Sequence, residues 1–272
     1  MGAPAAARLG WLARGEGDLP AADGWLAPAE AARAAGMRFT KRRTEYLVAR
    51  WTGKLAVAGR LGLAADAASL ARLEVRNAPS GAPEVHLDGR PAGVGVSLTD
   101  RAGWAVCVVG AAPAEVGCDL ELVETRSPGF VADFLTPAER RLVAAAGTDL
   151  DRAVVANLIW SATECALKVL RTGLRRDTRS VEVLGLPARG CADRAGWQPL
   201  AVRVHGGAEL PGWWLRCGSF LLTVAGAGLA APPVSMEDPP ALVAATPGHG
   251  WLNRPRWSGG GQPPQLGPSR PR

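Results

Sequence analysis

One alternation constrains this chain more than anything else in it. From Val116 to Val123 apolar and polar residues trade places: Val116, Cys118, Leu120 and Leu122 leave one side, and Gly117, Asp119 and Glu121 leave the other. A period of two marks a β-strand with one buried face. The other face carries two carboxylates at i and i+2, with a glycine beside them that is expected to leave room for a ligand. Such hard oxygen groups on a rigid strand suit Mg²⁺, which takes few protein carboxylates and fills its shell with water and phosphate oxygens. Alone, an Asp-x-Glu triplet is more often a solvated strand face.

A helix predicted over Asp151 to Thr172, ended by Gly173, changes those odds. Val155, Leu158, Ile159, Ala162, Ala166, Val169 and Leu170 form its apolar face. Asn157, Ser161, Glu164, Lys168 and Arg171 follow a 4, 3, 4, 3 spacing along a polar stripe. Glu164 and Lys168 are an i, i+4 pair that a surface salt bridge would explain for a few tenths of a kcal/mol. Beside the strand acids, however, Glu164 would complete a three-carboxylate site, with Lys168 one turn away where a metal-bound phosphate would lie.

The rest of the chain reads as short strands around a second helix. Met37 to about Leu63 is helical, and Leu73–Val75, Val85–Leu87, Val94–Leu98 and Trp104–Val109 are strands. The last two are separated by an expected polar turn through Thr99, Asp100 and Arg101. Thr136-Pro137-Ala138-Glu139 is a capping box. Further strands are expected near Val181–Leu184, Leu200–Val204, Trp213–Arg216 and Phe220–Ala225, with Trp160, Trp197, Trp213 and Trp214 in the core. Residues 1–36 give weak signals, and 232–272, which hold ten of the 22 prolines, are expected to be disordered.

Composition excludes several classes. With 272 residues, 47% hydrophobic and 21% charged, the chain is neither disordered throughout nor a collagen or coiled coil. Five cysteines without a Cys-x-x-Cys pair point away from a disulfide framework or zinc site and toward a reducing, cytoplasmic setting. No signal peptide is recognisable, and the uncharged stretch from Cys217 to Met236 is too broken by Gly and Pro to span a membrane. The net charge of +6 is concentrated in Arg38–Arg60, with seven basic residues against Glu45. That suggests a phosphate-bearing ligand or an acidic partner, although a solvated helix face would serve as well. Non-catalytic nucleic-acid binding by this helix is disfavoured: no aromatic stacking series accompanies it, and the carboxylates would be left unexplained.

In combination these segments resemble the Sfp-type 4'-phosphopantetheinyl transferases. The resemblance rests on Val116-Gly-Cys-Asp-Leu-Glu121, Phe134-Leu-Thr-Pro-Ala-Glu139, Trp160-Ser-Ala-Thr-Glu-Cys-Ala-Leu-Lys168 and Gly173-Leu174. Upstream, Gly81-Ala-Pro, Leu98-Thr-Asp-Arg-Ala-Gly-Trp104 and Lys41-Arg-Arg-Thr-Glu-Tyr-Leu-Val-Ala-Arg50 resemble elements of the same family, so that Arg38 to Ala227 is covered. The resemblance implies an α+β fold of two similar subdomains, each a small sheet on a long helix, here 37–112 and 113–231. It also implies Mg²⁺-dependent transfer of 4'-phosphopantetheine from coenzyme A to a serine of an acyl or peptidyl carrier protein, by a monomer that needs neither nucleic acid nor membrane. The metal would sit on Asp119, Glu121 and Glu164, with Glu164 also as base and Lys168 neutralising pyrophosphate charge. Arg43, Arg50, Thr99 and Arg101 would join Lys168 in holding coenzyme A. Two departures stand out: Thr99-Asp100 replaces the family's Ser-His pair, and Thr163 replaces a lysine. They leave room for a degenerate, coenzyme A-binding homologue with little activity.

Overall fold

The computed structural model describes residues 8–187 and 189–249. The first half of the chain supplies β1 (Gly10–Gly15), α1 (Pro28–Ala35), α2 (Thr40–Leu61), α3 (Ala67–Ala71), β2 (Leu73–Asn77), β3 (Pro83–Leu87), β4 (Arg90–Pro91), β5 (Val94–Arg101) and β6 (Trp104–Ala111). There follow β7 (Val116–Leu122), α4 (Pro128–Phe134), α5 (Pro137–Ala144), α6 (Asp149–Val169), β8 (Val181–Leu184), β9 (Gln198–Val204), β10 (Glu209–Cys217), β11 (Phe220–Gly226) and β12 (Val234–Ser235). The fold is α+β. One sheet has the order β12-β1-β6-β5, a second β7-β11-β10-β9-β8, and β2-β3-β4 form a small third.

Each large sheet carries a long helix on one face. Leu47, Val48 and Val57 of α2 pack with Leu12, Val96 and Cys107 of the first sheet. Leu158, Ile159 and Ala162 of α6 pack with Val181, Val202 and Leu221 of the second. A further cluster joins Trp11, Val106 and Val108 of the first sheet to Cys118, Leu120, Leu222 and Val224 of the second. The alternation in β7 is thereby explained: its apolar side belongs to this cluster and its carboxylate side to α6.

Three expectations need correction. Residues 10–35 are built in, because Trp11 and Trp25, each 2% exposed, are core residues and β1 is an inner strand between β6 and β12. The segment after 231 contributes β12 and buries Leu242 completely; residues 1–7 and 250–272 lie outside the described residues. Thr99, Asp100 and Arg101 do not turn but continue β5, paired with Val106, Ala105 and Trp104. The reversal is made by Ala102 and Gly103 at φ 49° and 81°, the two-residue hairpin whose twist matches the strands. Of the four tryptophans assigned to the core, Trp214 is fully buried, Trp197 and Trp213 are half-buried, and Trp160 stacks on Phe130 and Phe134. All five cysteines are free and buried, and no helix among the described residues is long and apolar enough to cross a membrane.

Candidate active site

β5 and β7 are edge strands of different sheets, and side chains rather than a ladder join them. Ser97 Oγ accepts from Cys118 N at 2.9 Å, and Thr99 Oγ1 accepts from Leu120 N at 3.1 Å. On the other side of β7, Gly117 serves α6 rather than a ligand. A Cβ there would run into the Cys165 carbonyl oxygen, so only glycine lets the helix backbone lie this close to the strand. That approach brings residues 164 and 168 of α6 onto Asp119.

Asp119, 4% exposed, is the hub. Its Oδ1 accepts from Lys168 Nζ at 3.0 Å and from Thr99 Oγ1 at 3.1 Å, while Lys168 Nζ also donates to Cys118 O at 2.7 Å. Asp119 Oδ2 is buried and accepts no hydrogen bond. Glu164 lies within hydrogen-bonding reach of Asp119; burial first, and then the Asp119 charge, push its carboxyl up to about 7. Burial pulls the Lys168 ammonium down, but Asp119 and its neighbours outweigh that and hold it charged. Two carboxylates this close, Asp119 buried and Glu164 half-buried, need a proton or a cation between them. The orphan Oδ2 and this pair fit Mg²⁺, which ordinarily takes one or two protein carboxylates.

Glu121 stands apart from that pair. Its carboxylate lies 3.2 Å from Arg101 Nε and 3.0 Å from Arg126. Arg126 in turn donates to the buried Asn157 at 2.6 Å and stacks over Phe130. Burial and the Asp119 charge raise the Glu121 carboxyl, and the two arginines oppose them. Among the described residues no three carboxylate, histidine or cysteine side chains converge as a metal cage. The expected triad is thus Asp119 and Glu164 in contact, with Glu121 on the same strand face but drawn to arginines.

The nucleotide contacts expected in the first half are placed elsewhere. Arg43 pairs with Asp23 at 3.4 Å, and Arg50 donates to Asn77 Oδ1 at 3.0 Å and lies 3.9 Å from Glu30. Both side chains of this face of α2 are buried, against the N-terminal segment and Asn77. Thr99 positions Asp119, and Arg101 holds Glu121 and Glu124. Asp100 is an exposed residue; desolvation by the protein around it and then the Glu45 charge push its carboxyl up to about 6, with Lys168 pulling against them.

What the sequence did not reveal is a cavity of 660 Å³ that Lys168 lines, while Asp119 and Glu164 do not. One wall is residues 80–86 and 91–98, and the other is the end of α6 with Lys168, Arg171 and Arg175. Of the five side chains expected to hold a nucleotide, only Lys168 lines it. Of the upstream elements of the resemblance, Gly81-Ala-Pro and Leu98 line it.

The family model of the 4'-phosphopantetheinyl transferase superfamily matches residues 115–214. This segment belongs to that superfamily. Asp119, Glu121, Glu164 and Lys168 all fall inside the match, whereas the opposite cavity wall precedes it. The activity class that comes with the superfamily is phosphopantetheine transfer. No curated protein matches the chain.

Proposed function

We propose that this phosphopantetheinyl transferase moves 4'-phosphopantetheine from coenzyme A to a serine of an acyl or peptidyl carrier protein, with Mg²⁺ bound and 3',5'-ADP released. The observation that carries this reading is the Asp119–Glu164 pair beside Lys168, the side chain that also lines a 660 Å³ cavity. Asp119 and Glu164 would hold the metal, with Glu121 a third carboxylate on the same face; when bound, the ion supplies positive charge to the pyrophosphate oxygens.

The chain's own groups do the rest. Lys168, fixed by Cys118 O and Asp119, presents a charged ammonium to the pyrophosphate. The serine oxygen forms the new bond to the β-phosphorus as the bond from that phosphorus to the bridging oxygen of the leaving nucleotide breaks. Glu164, the carboxylate beside Asp119, would accept the serine proton. Thr99 fixes the Asp119 rotamer by donating to Oδ1. Incubation with an apo carrier protein, coenzyme A and Mg²⁺ should add one phosphopantetheine mass; no added mass across several carrier proteins would rule the reading out.

A further inference from the structure

Asn157 opens the polar stripe of α6, about two turns before Glu164, and the transfer described above makes no use of it. It is 0% exposed, and two backbone oxygens fix its amide: Nδ2 donates to Glu124 O at 2.7 Å and to Ala153 O at 2.8 Å. Its Oδ1 is thereby turned to Arg126, whose Nε donates to it at 2.6 Å. The Phe130 ring, 4.7 Å from the guanidinium carbon, gives Arg126 a second hold. Neither hold involves Glu121. The guanidinium is therefore a fixed positive charge, and it lies 3.0 Å from the Glu121 carboxylate.

Hydrogen bonding does not tell the two acids of β7 apart, since Asp119 Oδ2 and Glu121 Oε2 are both buried without a donor. Charge does. Asp119 pairs with Lys168 and has Glu164 beside it, so that two ionised acids would share one ammonium. Glu121 and Glu124 instead meet two guanidiniums. Arg101 lies 3.2 Å from Glu121 and 2.5 Å from Glu124, and Arg126 lies 3.6 Å from Glu124. That second group is balanced. A divalent cation at Glu121 would be repelled by both arginines, whereas between Asp119 and Glu164 it would relieve two facing acids.

Resting on the function proposed above, we propose that Arg126 is a positioning residue that keeps Glu121 ion-paired, so that only Asp119 and Glu164 supply carboxylates to the metal. Glu121 then acts as a clamp: through Arg101 it ties β5, which carries Thr99, to β7, which carries Asp119.

Titration of the full chain with Mn²⁺, a paramagnetic stand-in for Mg²⁺, tests this without turnover, by the EPR signal of the free ion. The Glu121→Gln/Arg126→Gln double variant removes one charge of each sign and should hold Mn²⁺ within about twofold of the unaltered chain, whereas Asp119→Asn should weaken it about tenfold or more. Arg126→Gln alone takes one cation from Glu121 and should tighten Mn²⁺ by about threefold, which loss of a merely structural brace would not do. Thermal melts check that each variant folds. If the double variant does not melt cooperatively, Glu121→Gln/Arg126→Met, whose apolar stem still covers Phe130, takes its place. A loss of Mn²⁺ affinity beyond twofold in the charge-neutral variant overturns the proposal, as does unchanged or weaker binding by Arg126→Gln. An unaltered chain that binds no Mn²⁺ overturns the metal site of the proposed function and this inference with it.

Discussion

α2 and α6 are near-twins in length and in the way each lies on a sheet, yet they bury charge in opposite ways. Under α2, Lys54 is 0% exposed and meets Glu30 at 2.5 Å, and it also donates to Trp25 O at 2.9 Å. Glu30 further accepts from Ala27 N and Val75 N. Every charge in that group has an opposite or polar partner, so it acts as a fastening for the N-terminal segment. Beside α6, two acids face each other, one oxygen of Asp119 has no donor, and Glu164 is driven up to about 7. A charge network whose members find partners fastens the fold, whereas an unpaired carboxylate oxygen beside a lysine that lines a cavity is where the proposed ligand would act. The difference separates fastening from chemistry where composition and helical pattern do not.

The largest effect should come from the unsatisfied side. Asp119→Ala removes a carboxylate proposed to hold the metal and the Lys168 partner, and should lower the rate of carrier modification by about a thousandfold or more, roughly 4 kcal/mol of barrier. Circular dichroism should show the fold retained. On the fastening side, Lys54→Ala takes from buried Glu30 its nearest cation, leaving Arg50 at 3.9 Å, and should cost about 3 kcal/mol of stability in urea unfolding. Turnover per folded molecule should not change. If Lys54→Ala instead changed only turnover, the division between the helices would fail.

Smaller effects sharpen the comparison. Arg50→Ala should cost about 1–2 kcal/mol through the lost Asn77 bond and its stacking over Tyr46, with KM for coenzyme A unaltered; a raised KM would return Arg50 to the nucleotide. A pH effect should be the mildest. Without metal, folded Glu164 keeps a proton that the unfolded chain loses above its ordinary 4.5. The folded state therefore binds more protons between 4.5 and about 7, and stability falls as pH rises through that window. Metal-free thermal melts should show this slope, and Glu164→Gln should flatten it.

These contrasts also explain which parts were legible in the sequence. β7 and α6 were readable because their periodicities are long, and one face of each meets a single continuous layer. Spacing put Glu164 and Lys168 on one stripe of α6 and Asp119 and Glu121 on one face of β7; the bond from Lys168 to Asp119 was not among the expectations. Arg43 and Arg50 do share a helix face, as their seven-residue separation required, but nothing local says whether that face meets a ligand or Asp23 and Glu30, which lie far back in the chain. Thr99–Arg101 looked like a turn because polar residues cluster there; their partners on β6 and β7 turn them into strand. Gly117 offered space, and only packing decided that α6 would occupy it. Residues 10–35 gave weak signals because a six-residue strand and an eight-residue helix carry little periodicity of their own.

The central claim is that the Asp119–Glu164 pair performs the transfer, and Glu164→Gln tests it most directly. Glutamine keeps the size of the side chain but cannot accept the serine proton and binds metal poorly. Measured on one preparation, coenzyme A affinity should be retained through Lys168 and the cavity, while intact-mass spectrometry of the carrier protein shows modification abolished even at high Mg²⁺. Modification by Glu164→Gln at a near-normal rate would contradict the claim and leave the pair a buried structural contact.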